Sequence, residues 1–158
     1  MLKISKKYSL YMSLAVSVLF FLVCVAGSFM MPWVMETLVR LYDTIHVGTS
    51  VILQGDLILM YSLAYAILVF ALLADVLLVV LLLRVYREQV FTYRSVALIR
   101  SISWCCFFVA AAFGVVGFYF HVAWCIALAA VFLGLCVRVV KNVIEEATEI
   151  KSENDLTV

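Results

Sequence analysis

The sequence predicts an all-α integral membrane protein: a four-helix transmembrane bundle with both ends in the cytoplasm and its last helix extended beyond the membrane. Three observations carry that reading. Of 158 residues, 68% are hydrophobic and only 13% are charged, against about 45–50% and about 25% in ordinary soluble domains. Four apolar stretches reach the ~20 residues that a helix rising about 1.5 Å per residue needs to cross a hydrocarbon core about 30 Å thick. Basic residues collect at every second connection, as the positive-inside rule expects of cytoplasmic segments.

The first span covers residues 8–31 and is expected to stop at the only proline, Pro32, which lacks a backbone donor and clashes with the turn before it. Its basic start, Lys3, Lys6 and Lys7, resembles a secretory leader, but the apolar run exceeds the usual 7–15 residue core and Val25-Ala26-Gly27 makes a poor cleavage site. Retention of the segment is therefore expected. Cys24 lacks the small preceding residue that a lipoprotein site wants. The connection that follows has two expected parts. Met35, Leu38, Val39 and Leu41 alternate with Glu36, Arg40 and Asp43 at a spacing that suits a short amphipathic helix on the outer surface, with Trp33 and Tyr42 as interface anchors. Gly48-Thr49-Ser50 then reads as a turn.

The second span covers 57–83, the third 101–120 and the fourth 122–140. The apolar run from Ile102 to Val137 is too long for one crossing and suits a tight helical hairpin turning at His121. β-barrel strands would alternate polar and apolar residues, and these runs do not. The N-terminus holds Lys3, Lys6 and Lys7; the connection between spans two and three, with its approach to span three, holds Arg84, Arg87, Arg94 and Arg100; the C-terminal end holds Arg138, Lys141 and Lys151. Ten of the 11 basic residues thus lie on one side, and Arg40 alone lies on the other. This places both termini in the cytoplasm of a cell membrane.

Asp75 is the acid that lies well inside an apolar span. A charged carboxyl at that depth costs roughly 2.5–3.5 kcal/mol on insertion scales, so it should face other helices or water. It reads as a proton or cation site, as a hinge in a signalling bundle, or as a protonated or hydrogen-bonded packing residue whose partner is Ser101 or Ser103 on the next span. Small residues mark close helix approaches: Ala110, Ala111, Ala112, Gly114 and Gly117 in span three, and Ala127, Ala130 and Gly134 in span four. They suit packing of the hairpin against itself, and equally an oligomer.

The five cysteines, Cys24, Cys105, Cys106, Cys125 and Cys136, lie in or beside apolar runs with no Cys-x-x-Cys pair, and read as small buried residues. His121 reads as an interfacial loop histidine. No phosphate loop, catalytic Ser/His/Asp set, metal-ligand cluster or cofactor motif occurs in the sequence. The expectation is a protein that is not an enzyme and binds no cofactor or metal. A net charge of +1 gives no pull toward nucleic acid.

Beyond Arg138, Val139, Val140, Val143, Ile144, Ala147 and Ile150 recur at helical spacing, and Lys141 and Glu145 form an i,i+4 pair. Span four should therefore continue as an amphipathic cytoplasmic helix to about Lys151-Ser152. Residues 141–158 form the cytoplasmic tail. Its end, Glu153, Asn154, Asp155, Leu156, Thr157 and Val158, reads either as a solvated acidic terminus or as a ligand for a cytoplasmic protein.

The ending Ile150-Lys151-Ser152-Glu153-Asn154-Asp155-Leu156-Thr157-Val158 resembles that of a bacterial membrane family, domain of unknown function 2975. The middle segment Phe91-Thr92-Tyr93-Arg94-Ser95-Val96-Ala97-Leu98-Ile99-Arg100 is similar to that family's connection between spans two and three. The resemblance implies one four-span domain over 1–158. It also implies a regulatory pairing, because many members are encoded beside a small helix-turn-helix regulator. The tail would then dock that regulator, with Arg84, Arg87, Arg94 and Arg100 forming the other wall of the cytoplasmic face. The alternative is a small transporter, channel or immunity-type protein using Asp75.

Overall fold

The computed structural model describes residues 6–45, 54–87 and 91–156. They form four helices: α1 (Lys6–Ile45), α2 (Gln54–Tyr86), α3 (Tyr93–Val116) and α4 (Val122–Leu156). All four are long and apolar enough to cross a membrane. Large apolar side chains such as Leu19, Phe29, Val69 and Phe132 are exposed on their outer surfaces. A soluble monomer does not display apolar surface on that scale; contact with lipid accounts for it.

α1 is longer than expected. It passes through Pro32 and runs for 40 residues, about 60 Å at 1.5 Å per residue. Pro32 lies inside the helix rather than at its end. Helices in membranes tolerate an interior proline where neighbouring hydroxyls and helices stabilise the local backbone. Here the flanking hydroxyls serve the same helix: Ser28 Oγ donates to the Val25 carbonyl (2.6 Å) and Thr37 Oγ1 to the Trp33 carbonyl (2.9 Å). The amphipathic segment expected after Pro32 is helical, but it continues α1 instead of forming a separate element. Its Arg40 and Glu36 pair at 2.6 Å on the exposed face. The turn expected at Gly48-Thr49-Ser50 lies outside the described residues.

α3 also begins earlier than expected, at Tyr93. Thr92 caps it in an extended conformation (φ −139°, ψ 145°), and its side chain accepts from the Ser95 backbone N–H. A capped start satisfies one of the backbone donors left over at a helix N-terminus. Arg94 and Arg100 consequently lie on α3, not in a loop, while Arg84 is in the last turn of α2.

The hairpin forms where it is expected, with a short turn over 117–121. Small residues set its spacing. Ala123 and Ala127 of α4 and Ala110 of α3 are buried. A Cβ on Gly134 would come within 3.2 Å of the Phe107 ring and 3.3 Å of Cys106, and Ser103 Oγ donates to the Gly134 carbonyl at 2.9 Å. At the turn, a Cβ on Gly117 would fall 2.7 Å from the Trp124 indole, whose ring meets Phe118 edge-on at 5.6 Å. Gly114, in the same set of small residues, has nothing within 4 Å of its would-be Cβ, so it takes no part in the close approach.

The helices pack in chain order: α1 on α2, α2 on α3, α3 on α4. Phe70 of α2 stacks on Phe108 of α3 at 5.0 Å. Among the described residues α1 and α4 do not pack against each other. The expected four-helix bundle is thus an open arc, and the gap between its first and last helices is an apolar cleft.

α4 continues as one helix for 35 residues to Leu156, past the end expected near Lys151-Ser152. No glycine or proline follows Lys151 to break it. Residues 153–156 therefore extend the helix and are not an irregular tail.

Candidate functional site

Two places gather polar side chains. The first is inside the apolar layer. Asp75 on α2 is only 4% exposed. Its Oδ1 accepts a 2.5 Å hydrogen bond from Ser17 Oγ on α1, and its Oδ2 is buried with no hydrogen-bond partner. The partner differs from the expected Ser101 or Ser103. Ser101 Oγ donates to the Ala97 carbonyl within its own helix, and Ser103 Oγ donates across to α4. Both α3 hydroxyls are therefore committed elsewhere, and Asp75 finds its donor on α1, which packs against α2.

Asp75 lines the cleft left by the open arc, a cavity of about 790 Å³. All four helices contribute to it, with Ser17 and Phe20 from α1, Phe70 from α2, Cys106 from α3 and Leu133 from α4 among the lining residues. Among the described residues Asp75 is its one charged lining residue.

The second place is the end of the molecule that carries Arg84, Arg100 and Arg138. Arg100 Nη2 on α3 lies 3.3 Å from Glu145 Oε1 on α4, and Lys141 Nζ contacts the other oxygen of the same carboxylate. Glu145 is thus the acid that joins the basic approach of α3 to the extension of α4. Arg100, Ser103, Trp104, Arg138 and Lys141 surround a shallow cavity of about 280 Å³. In the same helix pair, Ser95, Val96 and Ile99 of α3 and Thr148 of α4 are buried. Thr148 Oγ1 donates to the Ile144 carbonyl at 2.6 Å.

The structure gathers part of the sequence-predicted basic set. Arg100 joins Arg138 and Lys141, whereas Arg87 lies just beyond the end of α2 and Arg94 is exposed in the first turn of α3. In the tail, Glu153 and Asn154 are exposed helical residues and Asp155 and Leu156 complete the helix; Thr157 and Val158 lie outside the described residues. Sequence reasoning missed Ser17, Glu145 and Arg138 as site residues. Ser17 carried a usable signal: it is a hydroxyl at mid-span in a chain with one mid-span acid. Among the described residues, no three His, Cys, Asp or Glu side chains cluster to hold a metal ion, and all five cysteines are free.

No curated protein and no solved structure matches this chain. A protein-family match does cover residues 3–158, to the family described as "Protein of unknown function (DUF2975)". Four membrane-length helices and a match over essentially the whole chain agree with the likeness carried by the C-terminal ending, and the chain belongs to this family.

Proposed function

We propose that this chain is a non-enzymatic, multi-pass protein of the bacterial cell membrane that holds a cytoplasmic helix-turn-helix regulator at the membrane surface. In this reading both termini are cytoplasmic, and the docking element is the far end of α4. One observation supports it above the rest. α4 runs unbroken past Arg138 to Leu156 and is tied to α3 by the Arg100–Glu145 pair. A partner would meet a pre-ordered helix, which lowers the entropy lost on binding. Val143 and Ile150, two helical turns apart on one face, are 61% and 56% exposed. Beyond the basic collar that face has no lipid to cover it, and it suits an amphipathic docking mode.

Pull-down of a helix-turn-helix regulator of the kind encoded beside many members of the family tests this. The intact chain should capture it, whereas truncation after Ser152 or Val143→Glu with Ile150→Glu should lose it. Equal capture by all three would remove α4 from the interaction. A second reading, a small transporter, channel or immunity-type protein, is favoured by the unpartnered Asp75 Oδ2 beside an apolar cleft. Loss of an ion-dependent phenotype in Asp75→Asn would support it, and an unchanged phenotype would oppose it.

A further inference from the structure

We propose that the cleft between α1 and α4 binds a lipophilic cation, entering sideways from the bilayer. Its volume of about 790 Å³ falls within the roughly 300–1,000 Å³ typical of small-molecule sites. Its wall is almost wholly apolar, and α1 and α4 leave it open between them.

The charge pattern selects the ligand. Among the described residues Asp75 is the cleft's only charged lining residue, with Oδ1 taken by Ser17 and Oδ2 without a partner. Among the described residues no Lys, Arg or His lines the cleft to balance it. An ionised Asp75 would lack a counter-ion, which is strongly unfavourable in an apolar layer, and a cation in the cleft would favour that form. An anion would meet repulsion. A small hydrated cation would have to shed its water against an apolar wall that offers little to replace it.

The burial of Oδ2 narrows the class further. That oxygen has no surface open to the cleft, so its charge reaches a ligand as a field and not through a hydrogen bond. A delocalised or quaternary cation, which needs no hydrogen-bond acceptor, fits that arrangement better than a primary ammonium. Phe20 and Phe70 line the wall, and aromatic rings attract such cations. The site stands whether or not a cytoplasmic regulator docks on α4.

The test uses the full chain in phosphatidylcholine nanodiscs and equilibrium binding of radiolabelled tetraphenylphosphonium. Saturable binding is expected, weakened by roughly tenfold or more in Asp75→Asn, since loss of a buried charge partner removes that much affinity. Ala130→Phe, which places a bulky ring in the cleft and leaves Asp75 intact, should also weaken binding. Tetraphenylborate, the same shape with the opposite charge, should not compete. Unchanged affinity in either variant, or competition by tetraphenylborate, would overturn the proposal. So would binding that fails to saturate, which reports partition into lipid alone. Should Asp75→Asn fail to fold, Ala130→Phe and the tetraphenylborate arm decide the matter.

Discussion

Replacing Gly117 by alanine should destabilise the α3–α4 hairpin, although alanine is ordinarily the better residue in a helix. The backbone there is helical (φ −61°, ψ −21°), so alanine meets no conformational strain. By chain entropy alone the change would stabilise by about 0.4–1 kcal/mol. The new methyl, however, would fall 2.7 Å from both Cδ1 and Nε1 of Trp124 and 3.0 Å from Cε2. The whole indole must move. Overpacking of this kind costs about 1–3 kcal/mol, and displacing the ring also weakens its edge-on contact with Phe118, of a type worth about 0.5–1.5 kcal/mol. The net expectation is a loss of roughly 1–3 kcal/mol once the entropic gain is subtracted. Gly114→Ala, one turn earlier, is the matched control. Nothing lies within 4 Å of its new methyl, so it should stabilise by about 0.4–1 kcal/mol. Unfolding of the purified protein in mixed micelles with rising dodecyl sulfate measures both. Gly117→Ala as stable as the parent, or Gly114→Ala clearly less stable, would refute the packing argument.

Three further outcomes are expected in the same assay. Ser17→Ala, which leaves both Asp75 oxygens without a donor, should cost about 1–3 kcal/mol, and parent-like stability would show that the bond contributes nothing. Pro32→Ala should stabilise α1, because it restores a backbone donor and removes a ring clash in mid-helix, with an upper bound of about 3 kcal/mol; a loss of stability would mean that the proline has a structural task of its own. Glu145→Gln should cost little, and less at high salt, since the Arg100–Glu145–Lys141 contacts are solvated. A large or salt-insensitive effect would contradict a solvated pairing there.

The helices were legible in the sequence because apolar length is a strong signal when lipid is the solvent. The hairpin turn was legible too, since no single helix spans a membrane with the whole stretch from Ile102 to Val137. Pro32 misled for a physical reason. The rule that proline ends helices comes from water, which competes for freed backbone groups, and an apolar layer leaves the chain little alternative to staying helical. The start of α3 was hidden by arginines that read as a loop, while its signal lay in Thr92, a cap three residues before Ser95. Side-chain pairings were less legible. Ser17 and Asp75 are 58 residues apart, and Arg100 and Glu145 are 45 apart. Which faces meet depends on how each helix is rotated, and near-uniform hydrophobicity around α1 and α2 leaves that rotation unmarked. The open arc is illegible for the same reason: nothing in the composition of α1 says that it packs on α2 and leaves α4 uncovered.

Everything about the cytoplasmic face rests on four crossings with the basic ends gathered on one side. Single-cysteine variants of a cysteine-free background, treated with a membrane-impermeant maleimide in intact cells, measure this directly. Thr49→Cys and His121→Cys should label in intact cells, and Ser5→Cys and Thr157→Cys only after permeabilisation. Labelling of Thr157→Cys in intact cells, with Thr49→Cys and His121→Cys protected, would invert the protein and remove the α4 extension from any cytoplasmic partner.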